Sequence, residues 1–224
     1  MELSEQQAAA LEREALRIYG RYQREVVEAL GLCPWAASAR EDGRVRPRVA
    51  LRDELPTAHG IVEELAADPG VDVGLVIFPL SSRERGAHER FVAALRRRHA
   101  ERHGGSPPLA MAAFHPDAEP DLASPARLVP FIRRSPDPTV QLVRLSMLEE
   151  LRRPFERGTG YVDPANLAAV ETLLAAPVKR PLHERIAQTN LETIRRLGVQ
   201  AVAARLEAIR EDRDASYAAI LDRR

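Results

Sequence analysis

Leu11, Ala15, Ile18, Tyr22, Val26, Ala29 and Leu30 recur at helical spacing, which predicts an amphipathic helix that Gly31 terminates. The period then changes. Residues 44–51 read as a short strand, and Pro47, which has no N–H to give to a ladder, places it at a sheet edge. Residues 56–67 read as a helix stopped by Asp68-Pro69-Gly70. Val73, Leu75, Val76, Ile77 and Phe78 make the stretch 71–78 nearly continuous in apolar character, as in a strand covered on both faces. A helix over 84–102 turns Phe91, Val92 and Leu95 inward and ends at Gly104-Gly105, and 109–114 supplies another strand.

This alternation implies right-handed crossovers and an α/β (or α+β) fold with a small three-stranded, mainly parallel sheet. Residues 115–138, rich in proline and acid, read as one long loop, and loops of that length in a compact domain are usually functional or disordered. Three helices are expected over 139–152, 164–175 and 178–197. Val199, Val202, Leu206, Ile209, Tyr217 and Ile220 mark one more amphipathic helix. The chain therefore divides into an α/β domain, 1–198, and a C-terminal helix, 199–224, that offers a face for pairing with a second copy.

Composition narrows the function classes. Hydrophobic residues are 45% of the chain, enough for a core, so disorder is not expected. Basic and acidic residues each number 33, which leaves no electrostatic case for nucleic acid or a membrane surface. The apolar runs are too short to span a bilayer, and Met1-Glu2-Leu3-Ser4-Glu5 lacks the basic start and apolar segment of a signal peptide. Cys33 is the only cysteine, so no internal disulfide can form and a reduced, cytoplasmic setting is expected.

That cysteine is also the first candidate for chemistry. Proline is favoured at the first helical position, so Pro34 would make Cys33 the N-cap residue, where unpaired N–H groups and the helix dipole favour a thiolate. The bland alternative is a small buried apolar side chain. His115 stands at the end of the last expected strand, in Phe114-His115-Pro116-Asp117, where an imidazole suits a base, a ligand or a donor that Asp117 could orient. Arg133 and Arg134 form a pair of guanidiniums that could bind a carboxylate or phosphate, although composition alone favours a solvated turn that starts a helix.

Helical projection sets Arg144 among Met147, Leu148 and Leu151, and Asn190 among Leu182, Ile186, Ile194 and Leu197. Buried polar groups need partners, so the two suggest a polar network inside the domain that could surround a ligand; the alternative for Arg144 is a side chain that reaches the surface or makes a structural ion pair. His88 and His99 project onto an apolar helix face as packed core residues. His59, His103 and His183 show no metal spacing with Cys33 or each other, and no HExxH, paired CxxC, P-loop or GxGxxG occurs. No metal site is expected and no cofactor is assigned.

Several ordered segments resemble a bacterial family, the domain of unknown function 1415 proteins. They are Leu30-Gly31-Leu32-Cys33-Pro34-Trp35-Ala36, Leu75-Val76-Ile77-Phe78-Pro79, Phe114-His115-Pro116-Asp117, Arg134-Ser135-Pro136, Leu142-Val143-Arg144 and Asn190. The resemblance spans Tyr22 to Gly198 and implies no established activity. This chain has Ala118-Glu119-Pro120, Arg133 and Leu145 where the family usually has aromatic and glycine residues, an asparagine and an acid, respectively.

Three readings follow. In the first, Cys33 and His115 are catalytic, and Arg134, Arg144 and Asn190 hold a small anionic molecule. The second is a haem or metal protein with Cys33 as ligand and His115 opposite it. The third is a non-catalytic structural or interaction protein that self-associates through its C-terminal helix.

Overall fold

Gly31, in the left-handed region at φ 63°, closes the first helical run where the sequence places its stop. The computed structural model describes residues 3–148 and 182–222; the helix expected over 164–175 lies outside them, as do 149–152 and 178–181. That first run comprises α1 (Glu5–Tyr22) and a π-helical turn, Gln23–Glu28, and a short α2 (Ala36–Glu41) follows. Next come β1 (Val45–Val49), α3 (Leu55–Ala67), β2 (Val73–Ile77), α4 (Arg85–Arg102) and β3 (Leu109–Phe114). Within the expected long loop, 125–132 form a further helix, α5 (Pro125–Ile132). β4 (Thr139–Arg144), α6 (Leu182–Leu197) and α7 (Val199–Leu221) complete the described elements.

The α/β class holds, with one strand more than expected. The sheet order is β1-β2-β4-β3, β1 pairing parallel with β2 while β4 runs antiparallel between β2 and β3. β1, β2 and β3 thus share one direction, as the strand–helix alternation requires, and β1 is an edge strand, as Pro47 leads one to expect. The inserted strand replaces the first part of the helix expected over 139–152; only 145–148 are helical there among the described residues. Val140 and Leu142 are buried on one face at period two, and ladders on both sides satisfy the backbone, a contribution no local pattern reports.

Helices cover both faces. Ala58, Val62 and Leu65 of α3 and Phe91, Val92 and Leu95 of α4 pack with Val76, Phe78, Val140 and Leu142. Against the other face, Leu75 and Ile77 meet residues from α1, α5, α6 and α7. Gly74 lets the layers close, since a Cβ there would lie 3.0 Å from both Leu65 and Leu142. The apolar positions of the last helix that suggested pairing with a second copy are spent here: Val202, Leu206, Ile209 and Tyr217 are buried in the core with α1. Among the described residues no helix is long and apolar enough to cross a membrane.

Candidate functional site

Parallel strands gather loops at their carboxyl ends, and β1, β2 and β3 all end on one side of this sheet. His115 follows β3 there and is nearly fully buried. Its Nε2 contacts the Arg83 carbonyl at 2.9 Å, and its Nδ1 accepts the Asp117 backbone N–H at 3.2 Å. A carbonyl can only accept, so Nε2 carries the proton and the ring is a neutral tautomer with both nitrogens engaged. Asp117 does orient His115, through its backbone; its carboxylate stands 3.9 Å from Nδ1.

His115 also borders a cleft of about 260 Å³ on the open edge of β3. Met111, Ala112 and Ala113 form its floor, Arg85, Glu89 and Arg96 of α4 one wall, and Val129, Pro130 and Arg133 the other. Arg96 donates to the Met111 carbonyl at 2.9 Å, covering part of the strand edge, and Arg85 lies 3.8 Å from Glu89. Arg133 is different. Its guanidinium stands 5.7 Å from the centre of the Phe114 ring and meets no carboxylate among the described residues. Burial alone pushes it below the usual arginine value, with only Tyr22 pulling the other way.

The remaining expected site residues lie elsewhere. Arg134 donates from Nε to the Pro116 carbonyl at 2.6 Å and reaches Glu207 at 3.4 Å, so it neighbours the His115 loop. It lines only a dimple of about 10 Å³, no larger than one water requires. Asn190, buried on α6, donates to the Leu32 carbonyl at 3.1 Å and so fixes the turn carrying Cys33. Cys33 itself is not an N-cap: Trp35 caps α2, and the half-buried thiol sits in the turn before it. Burial pushes the thiol up, outweighing hydrogen bonds from the Trp35 and Ala36 backbone, so the expected thiolate is not favoured.

Arg144 departs furthest. It belongs to a strand, not a helix, and pairs with Leu109 at the end opposite His115, about 16 Å along β4 from Thr139. Its guanidinium donates to the carbonyls of Val71 at 2.6 Å and Asp68 at 2.7 Å, tying β4 to the C-terminal end of α3. The structure thus brings His115 near Arg134, and Asn190 near Cys33, and leaves Arg144 apart from both pairs.

A family model described as a protein of unknown function (DUF1415) matches residues 17–180. The chain belongs to the DUF1415 family. No curated protein and no solved structure matches it. The DUF1415 match takes in Cys33, the sheet, His115 and every residue of the β3 cleft; Asn190, Arg213 and Tyr217 lie beyond it.

Within the same DUF1415 region the fold assembles a second group of polar residues that linear spacing did not reveal. Glu63 of α3 lies against His99 and His103 at the end of α4, a grouping that the histidine spacings weighed in the sequence did not include. The only signal in the sequence was a pair of four-residue spacings, His59 to Glu63 and His99 to His103, and its meaning depends on the two helices being neighbours.

Proposed function

We propose that this DUF1415 protein binds a small anion, a carboxylate or a phosphate, in the cleft along β3, with Arg133 as its anchor. The observation that carries the reading is a largely buried guanidinium with no carboxylate partner among the described residues, facing a cavity. A buried charge is costly unless paired, and arginine's planar fork matches carboxylate and phosphate oxygens bidentately. Arg85 and Arg96 add positive charge to the same cleft, against one carboxylate, Glu89. The cavity falls below the usual range for drug-sized ligands, which favours a small molecule.

His115 supplies a neutral wall and, with both nitrogens engaged, suits a binding site better than a general base. A cytoplasmic setting accords with the single half-buried thiol. Titration calorimetry of the full chain with inorganic phosphate and with succinate tests the reading. Saturable binding of either at one site, lost in Arg133→Met and kept in Arg144→Met, is expected. No binding of either probe, or equal affinity in Arg133→Met, would overturn it.

A further inference from the structure

We propose that α3 and α4 hold a zinc ion through Glu63, His99 and His103. The helices run side by side on one face of the sheet, with Glu63 of α3 against His99 and His103, which stand four residues apart at the end of α4 and so share one helix face. His99 Nδ1 lies 2.6 Å from Glu63 Oε1 and His103 Nε2 lies 3.0 Å from Oε2. All three ligand atoms fall within 4.8 Å of one another. His59 Nε2, buried and without a hydrogen bond among the described residues, lies 3.3 Å from Glu63 Oε1 but outside the three-atom group.

Two imidazoles and one carboxylate form the kind of borderline-soft donor set that zinc takes, with the fourth position left to solvent. Tetrahedral zinc sets its N and O ligands about 3.3 Å apart, so Glu63 must draw back from His99, now at 2.6 Å, to admit the ion. In doing so the group would exchange the protons shared with Glu63 for a cation. The histidine rings stack edge-on, His99 to His103 at 4.6 Å, with His99 fully buried and His103 partly open to solvent, which leaves an entry path.

The test uses full-length protein stripped with chelator and titrated with Co(II), then with Zn(II). One equivalent of cobalt should give the visible d–d absorption of a tetrahedral site, and zinc should displace it. His103→Ala, which alters a partly exposed residue, and Glu63→Gln should each weaken zinc by about tenfold or more. Circular dichroism of the metal-free variants separates that loss from misfolding, and zinc should raise the melting temperature of the wild type more than that of either cluster variant. Cys33→Ser and His183→Ala should bind as the wild type does. Absence of a saturable one-equivalent spectrum would overturn the assignment, as would unchanged affinity in both cluster variants or loss of binding in Cys33→Ser.

Discussion

Arg213, on the last helix, donates from Nε to the carboxylate of Asp137 at 2.9 Å, although 76 residues separate them. Tyr217 donates to the other oxygen at 2.8 Å, and the Ser135 and Thr139 hydroxyls donate to the Asp137 carbonyl. Asp137 is fully buried immediately before β4, so α7 fixes the start of the inserted strand. Burial pushes its carboxyl above the usual aspartate value, against Arg213 and Tyr217.

Removing one partner of a buried pair leaves the other charge uncompensated. Arg213→Met should therefore cost about 3 kcal/mol in urea unfolding at pH 7. Tyr217→Phe should cost about 1 kcal/mol. The Arg213→Met deficit should shrink toward pH 4, because protonating Asp137 removes the unpaired charge. A deficit that does not change with pH would show that Asp137 is not the group left behind.

His88 gives the acid limb of stability a specific source. It is fully buried, donates from Nε2 to the Thr139 carbonyl at 3.2 Å and stacks on Phe91. Burial, against the Thr139 hydrogen bond, pushes it down to about 4. The unfolded chain takes up a proton near 6.5 that the folded chain refuses, so this contribution is complete above pH 6.5 and lost as pH falls toward 4. The loss should reach about 3 kcal/mol. Urea melts between pH 7 and pH 4.5 should show it, and His88→Gln should flatten that slope; an equal slope in the variant would assign it to other groups.

Arg144 should behave as a structural residue. Its carbonyl contacts at the end of α3 predict that Arg144→Met lowers stability by about 1–3 kcal/mol without changing anion affinity. Arg144→Lys should recover little, because a single ammonium cannot span two carbonyls as a guanidinium fork does. Loss of anion binding in a folded Arg144→Met would place it in the site after all.

Cys33 should react slowly. With its thiol raised by burial, alkylation by iodoacetamide at pH 7 should lag behind that of a small free thiol and accelerate on unfolding. Rapid alkylation of the folded protein would restore the reactive-cysteine reading.

The sequence was most legible where one pattern sufficed. The apolar run at Val73–Ile77, the edge proline at Pro47 and the helix stop at Gly31 each report a local requirement, and the fold meets all three. Thr139–Arg144 was misread because six residues support either period, and its ladder partners, β2 and β3, are remote in the chain. The error carried Arg144 into a site it does not join. The adjacent pair Arg133 and Arg134 was visible as a pair, but which guanidinium pairs locally and which faces the cleft depends on where α5 and Pro116 lie. The His99–Glu63 contact was hidden for the same reason, since it exists only between two packed helices.

The central claim, that Arg133 is a buried cation kept for an external anion, makes opposite predictions with and without ligand. In Arg133→Met an unpaired charge is replaced by an apolar side chain, so the ligand-free melting temperature should rise by about 2–4 °C, equivalent to about 1 kcal/mol. Saturating phosphate or succinate, whichever binds the wild type, should raise the wild-type melting temperature and leave that of the variant unmoved. The account is contradicted if the ligand-free variant melts below the wild type, or if the two proteins respond equally to the anion.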